Sequence, residues 1–211
     1  LKHTPFYEKH VALGGKMVEF AGYEMPVQYP KGIIAEHKAV RESSATKAGG
    51  VFDVSHMGEF DVAGPDAFHF LQTITTNDVA ALTPGKAQYS SLPNEHATLL
   101  DDLIVYMLEP DHYMVVVNGA TLEKDWAWFT KQAQKFDVKL RNDSDATALL
   151  AIQGKGVKEM LQTLTDVDLD AIEYYHFAKG RLAGVDMLIA RTGYTGEPGF
   201  ELFFPSDAKT A

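Results

Sequence analysis

The chain has 211 residues, 45% of them hydrophobic, which suffices for one large or two small domains with a sizeable core. Its 19 basic residues against 29 acidic ones, with no dense Lys/Arg run, argue against nucleic acid or an anionic membrane as the main partner and favour a small organic ligand or a protein. The lack of cysteine excludes a disulfide framework, a zinc–thiolate site and a thiol nucleophile, and it favours a reducing compartment.

The opening Leu1-Lys2-His3-Thr4-Pro5 has no long apolar leader, and no stretch reaches the roughly 18 apolar residues of a membrane span. Thr4-Pro5 starts a helix carrying Phe6, Val11 and Leu13, which Gly14-Gly15 stops. Extended pieces follow near Met17 to Phe20 and Met25 to Gln28. A helix from Ile33 to Val40 continues into Arg41 to Lys47 and ends at Gly49-Gly50. Val51 to Val62 reads as one strand, and Gly64-Pro65-Asp66 leads into a helix with Phe68, Leu71 and Ile74. Ala87 to Leu92, Leu99 to Leu108 and Tyr113 to Asn118 suit an antiparallel meander, with Glu109-Pro110-Asp111 as a turn. Leu122, Trp126, Phe129, Ala133 and Phe136 form a helical stripe that packs on that meander. A strand at Thr147 to Ile152 and a helix with Val157, Met160, Leu161 and Leu164 come next. Extended pieces lie near Tyr174 to Phe177, Leu182 to Arg191 and Phe200 to Phe204. Pro205-Ser206-Asp207-Ala208 has the composition of a helix start, and a chain ending at Ala211 looks cut. Strands and helices mix without a strict βαβα repeat, so the fold class is α+β, with mixed or antiparallel sheets and packed helices.

Asp101 and Asp102 adjoin inside the apolar run Leu99 to Leu108. Successive strand residues face opposite ways, so one carboxylate points to the side that the sheet covers. It either accepts from backbone N–H groups, carries a raised pKa, or waits for a ligand that supplies a donor. Glu201, between Phe200 and Leu202, is a second candidate. It is either a surface-facing edge residue or a carboxylate for a flat ligand edge with adjacent N–H donors, as in a pterin or guanine. Gly193-Tyr194-Thr195-Gly196-Glu197-Pro198-Gly199 lacks dinucleotide-binding spacing and predicts a tight loop joining two strands, with Tyr194 at its tip. Asp53, Ser55 and His56 lie too close along one strand for a converging triad, and His56 reads as a strand histidine hydrogen-bonded in place. The eight histidines show no metal-ligand spacing, so no metal site is expected.

Several segments together resemble the aminomethyltransferases of the glycine cleavage system, the T-proteins. They are Thr4 to His10, Phe20 to Pro26, Phe52-Asp53-Val54-Ser55-His56-Met57-Gly58-Glu59, Thr76 to Val79, Asp101 to Tyr106, Val117 to Ala120, Glu123-Lys124-Asp125 and Arg191 to Glu197. The resemblance implies the folate-binding aminomethyltransferase fold, a three-domain cloverleaf around a central folate-binding cavity. Of this the chain would hold the first two domains. Residues 1–50 and 140–211 would form one lobe and residues 51–139 the lobe carrying the Asp101-Asp102 strand, with a C-terminal β-rich domain absent. It implies transfer of a one-carbon unit from an aminomethyl-dihydrolipoyl carrier protein (H-protein) to tetrahydrofolate, releasing ammonia and giving 5,10-methylenetetrahydrofolate, without a metal. The setting would be the bacterial cytoplasm or, in a eukaryote, the mitochondrial matrix.

On this mapping Asp102 is the inward-facing, essential carboxylate and Glu201 grips the pterin. Met57, Tyr89, Tyr106, Tyr174 and Tyr194 line the pocket, and Asn118 is a further candidate. A folate-dependent demethylase of the same fold and a non-catalytic folate-binding protein are the alternatives. Three departures from the family pattern stand out. The approach Arg41 to Gly50 is longer and could displace Met57. A usual glycine pair is replaced by Ala97-Thr98. Family chains continue well past the position of Ala211, through an arginine-bearing segment that completes the cofactor site.

Overall fold

A computed structural model describes residues 1–44, 46 and 49–208. In chain order the elements are α1 (Tyr7–Ala12), β1 (Lys16–Phe20), β2 (Tyr23–Gln28), α2 (Ile33–Arg41), β3 (Gly50–Asp53), β4 (Gly58–Ala63) and α3 (Ala67–Ile74). Then follow β5 (Ala87–Pro93), β6 (Leu99–Glu109), β7 (His112–Val117), α4 (Leu122–Ala133), β8 (Lys139–Asn142), β9 (Thr147–Gln153), α5 (Val157–Gln162), β10 (Phe177–Leu182), β11 (Val185–Ala190) and β12 (Gly199–Pro205). The described residues divide into two compact units, Leu1–His56 with the segment from Ala146 onward, and Met57–Asp145.

In the unit 57–145, five strands lie in the order β5-β6-β7-β4-β8, every pairing antiparallel. The meander expected from residues 87–118 is its centre. Alternation sends Leu103, Val105, Val115, Val117, Phe60 and Val62 to one face, where α3 and α4 bury them with Phe70, Leu71 and Phe129. The opposite face carries Asp102, Ile104 and Tyr106 from β6 and Glu59 from β4.

In the other unit the order is β10-β11-β12-β9-β3, again antiparallel, with β1 and β2 as a separate hairpin. Phe200, Leu202 and Phe204 join Ile152, Leu161, Leu169 and Ile189 in its core, and Glu201 takes the other face of β12. Two all-antiparallel sheets with helices packed on them make the class α+β, as the sequence predicts.

The structure corrects several expected boundaries. Val51 to Val62 is two strands in two sheets, because the Asp53 carboxylate accepts from Ser55 N at 3.0 Å and turns the chain. The Ser55 hydroxyl completes that turn, donating to Leu149 O at 3.2 Å and accepting from Leu149 N at 3.0 Å. β3 therefore pairs with β9 rather than joining a lobe 51–139, and β8 pairs with β4 rather than joining a lobe 140–211. The second helix ends at Arg41, where Ser43 Oγ donates to Val40 O at 2.6 Å. The rest of its expected extension includes residues 45, 47 and 48, outside the described residues. Leu182 to Arg191 is not one strand: Leu182 ends β10, Ala183-Gly184 make a β-hairpin turn, and Val185–Ala190 form β11. Tyr174 and Tyr175 form a turn before β10, with Tyr175 at φ 59°. Ser206–Ala208 is a single 3-10 turn.

Candidate active site

Asp101 and Asp102 open the long strand β6 and separate to its two faces. Asp102 is half-buried and accepts two hydrogen bonds. Tyr89 donates its hydroxyl to Asp102 Oδ2, and Asn118 Nδ2 donates to Asp102 Oδ1 at 2.7 Å. The register explains the reach of Tyr89, since Ser91 stands opposite Asp102 and Tyr89 opposite Ile104, a diagonal cross-strand pair. Asn118 follows β7, the other neighbour of β6, and its Nδ2 also lies 2.9 Å from Asp101 Oδ1.

Asp101 turns toward α4. Thr121 donates its hydroxyl to Asp101 Oδ2 at 2.5 Å, and Asn118 N approaches the same oxygen at 3.4 Å. Thr121 precedes α4 yet makes no side-chain cap, because its hydroxyl is committed to Asp101. Burial pushes the Asp101 carboxyl up, but hydrogen bonds from Asp125, Thr121 and Asn118 outweigh it and hold the group below its ordinary value. The expectation that only Asp102 faces inward is thus corrected: both carboxylates are half-buried and both are held by donors.

The remaining predicted residues of this unit differ in access. Tyr89 is 45% exposed, whereas Tyr106, on the same sheet face as Asp102, is completely buried. Met57 is half-buried at the bend before β4.

In the other unit Glu201 is 6% exposed, on β12 opposite Ala190 and Ala151. Glu201 is therefore not a surface-facing edge residue. Thr192 donates its hydroxyl to Glu201 Oε2, and the other oxygen receives no hydrogen bond among the described residues. Burial pushes the Glu201 carboxyl above its ordinary value, with Thr192 opposing. Tyr174 and Tyr194 are both 68% exposed. Tyr174 lines a cavity of about 250 Å³ with Arg191, Thr192, Gly193, Glu197 and Pro198, and its ring meets Tyr175 edge-on at 4.8 Å.

The loop carrying Tyr194 joins antiparallel β11 and β12, as its glycines predict. Gln153, buried at the end of β9, organises it. Its Nε2 donates to Thr192 O at 3.2 Å, and Thr195 donates to its Oε1 at 2.8 Å. Gly193, at φ 153°, lies so close that a Cβ there would stand 2.2 Å from Gln153 Oε1. Sequence reasoning missed Gln153 and Thr192, whose partners are known only once the strands are paired.

The rejected Asp53-Ser55-His56 triad does not form. Asp53 Oδ2 instead meets His10 Nε2 at 2.8 Å, and His10 Nδ1 meets the Tyr29 hydroxyl at 2.7 Å. The reading of His56 is corrected: it lies in the turn after β3, its Nδ1 is buried without a partner among the described residues, and its ring meets Phe20 edge-on at 5.3 Å. A cavity of about 440 Å³ is a mainly apolar space lined by Phe6, Leu150, Leu161, Leu202 and Phe204. It touches none of the predicted site residues, so volume alone does not locate the site.

A family model described as the GCVT N-terminal domain matches residues 6–211. The chain belongs to that family. This GCVT N-terminal domain is 54% identical to the aminomethyltransferase of Bacteroides thetaiotaomicron over 212 residues, covering all of this chain and 57% of that protein. It is 50% identical to the aminomethyltransferase of Thermotoga maritima over 211 residues, covering 56% of it. The glycine cleavage system aminomethyltransferase T from Bartonella henselae superposes with a TM-score of 0.88 at 34% identity, over 99% of this chain and 55% of that one. The heterotetrameric sarcosine oxidase from Corynebacterium sp. U-96, with a TM-score of 0.59 at 13% identity, shares the fold alone. The GCVT domain here therefore spans a little over half the length of the curated relatives it matches.

Proposed function

We propose that this chain is the folate-holding, carboxylate-bearing part of an aminomethyltransferase of the glycine cleavage system. The observation that carries the reading is Asp102, half-buried on β6 and held in one orientation by the Tyr89 hydroxyl and the Asn118 amide. The names of the relatives support the reaction, and the chemistry of the residues fits it.

In that reaction the aminomethyl carbon leaves the dihydrolipoyl sulfur of a carrier protein (H-protein), ammonia departs, and the carbon bridges two nitrogens of tetrahydrofolate as 5,10-methylenetetrahydrofolate. Positive charge develops on nitrogen while the carbon–sulfur and carbon–nitrogen bonds exchange. A fixed carboxylate lowers the energy of that charge, and Asp102 needs no reorganisation to do so because two donors already orient it. Glu201 has one oxygen committed to Thr192 and one to offer, which suits an N–H donor of the pterin edge. Tyr89, Tyr174 and Tyr194 present exposed rings for flat contacts, with Met57 and Asn118 as further folate contacts. The bacterial relatives support a cytoplasmic setting.

The test is turnover of aminomethylated lipoyl carrier protein with tetrahydrofolate, following 5,10-methylenetetrahydrofolate. Asp102→Asn, nearly isosteric, is expected to abolish transfer while tetrahydrofolate still binds and the chain still unfolds cooperatively. Full turnover in that variant would remove Asp102 from its role.

A further inference from the structure

Asp125 lies in the apolar stripe of α4, between Leu122 and Phe129, and is 0% exposed. Among the described residues neither of its oxygens meets a well-aligned hydrogen-bond donor. A naked carboxylate with no accessible surface is costly enough that the group takes a proton instead. What it meets is another carboxylate, Asp101, which is already served by Thr121 and Asn118 and so stays an acceptor. Two carboxyl groups in contact are joined only through one shared proton. The chain of contacts then continues outward: Asp101 Oδ1 holds Asn118 Nδ2 at 2.9 Å, and the same nitrogen holds Asp102 Oδ1 at 2.7 Å.

We infer that Asp125 is a positioning residue, a neutral buried acid that donates its proton to Asp101 and through Asn118 fixes the carboxylate of Asp102. The charged groups facing it are Asp101 from β6 and Lys124 on its own helix. Burial, then the hydrogen bond and charge of Asp101, push the Asp125 carboxyl up to about 7, against Thr121 and Lys124. Below that pH the proton is in place. Above it two carboxylates repel, Asp101 swings away and Asn118 loses its anchor. This role in folate chemistry rests on the function proposed above, whereas the proton itself does not.

The test uses the 211-residue chain labelled with 13C at aspartate carboxyls, as wild type, Asp125→Asn and Asp125→Leu, with Asp102→Asn to assign the Asp102 resonance. Wild type is expected to show one carboxyl titrating near pH 7 that both Asp125 variants lack. Asn still donates to Asp101, so the Asp102 resonance stays in place in Asp125→Asn and shifts in Asp125→Leu. Tetrahydrofolate should bind wild type more weakly above pH 7, bind Asp125→Asn independently of pH, and bind Asp125→Leu about tenfold more weakly than Asp125→Asn. A near-neutral titration that persists in Asp125→Asn, or that lies in the ordinary carboxylate range of about 4, overturns the inference. So does an Asp102 resonance that moves in Asp125→Asn as much as in Asp125→Leu. Should Asp125→Leu fail to fold, the Asp125→Asn spectrum and its pH-independent binding decide. A wild type that binds no tetrahydrofolate at any pH would sink the proposed function, while the resonances still judge Asp125.

Discussion

Asn118 Nδ2 stands 2.7 Å from Asp102 Oδ1, and that one bond ties the proposed catalytic carboxylate to the rest of its sheet. The same nitrogen serves Asp101, so two adjacent carboxylates share one amide. Removing the amide takes a charge-assisted donor from both.

Asn118→Ala is therefore expected to weaken tetrahydrofolate binding by about tenfold, in keeping with the roughly 1.5–3 kcal/mol of a hydrogen bond to a charged group, partly replaced by water. Calorimetric titration of the variant checks this. Affinity equal to wild type would show that Asp102 keeps its orientation without Asn118.

Ala97 adopts φ 57° in the turn before β6. The turn survives with Ala97-Thr98 where a glycine pair is usual, because Asn94 Oδ1 accepts from His96 N at 2.9 Å and from Thr98 N at 3.0 Å. A left-handed alanine costs about 1–2 kcal/mol, and glycine's extra freedom in the unfolded chain offsets part of the relief. Ala97→Gly should stabilise the chain by about 0.5–1 kcal/mol, read from the denaturation midpoint. A destabilised variant would contradict the strain.

Glu59 is 2% exposed with neither carboxyl oxygen partnered among the described residues, and burial, then the charge of Asp143, push it well above its ordinary value. A raised carboxyl holds its proton in the folded chain at pH values where the unfolded chain has lost it. Its contribution is therefore fully present below the unfolded value and lost as pH rises toward the folded one. The slope is at most about 1.4 kcal/mol per pH unit. Glu59→Gln cannot lose that proton, so its stability relative to wild type should grow between pH 5 and 8 in urea titrations. A constant difference across that range would show that Glu59 is ionised when folded.

Gly193→Ala should distort the loop that carries Tyr194. Its Cβ meets the Gln153 side chain, which is buried and tied to Thr192, Thr195 and Phe200 and cannot give way. A loss of about 1–3 kcal/mol in stability is expected, with weaker tetrahydrofolate binding. An unchanged denaturation midpoint would mean that Gln153 moves aside.

The strands nearest the site could be read from sequence as apolar runs bounded by turn residues, and alternation along β6 puts Asp101 and Asp102 on opposite faces. The register with β5 and β7 could not be read, because Leu103 to Tyr106 are apolar and buried on both faces. The break between β3 and β4 could not be read, since an apolar run does not say which sheet will take it. β8, Lys139–Asn142, carries almost no apolar signal because its pairing with β4 rests on backbone hydrogen bonds at a sheet edge. Asp125 was hidden by its surroundings. A helical stripe read for its hydrophobic members passes over the one carboxyl group inside it. The partners of Glu201, Gln153 and His10 lie 9 to 47 residues away along the chain, distances that no local pattern spans.

The most direct test of the account is an anaerobic tetrahydrofolate titration of the 211-residue chain, followed by tryptophan and tyrosine fluorescence, with Glu201→Gln beside it. Saturable binding is expected, weakened by about tenfold or more in Glu201→Gln, where an amide donor would face the donors of the pterin edge. A cooperatively folded chain that binds no tetrahydrofolate, or that binds it equally well with Gln at position 201, would contradict the claim that this chain holds folate through Glu201.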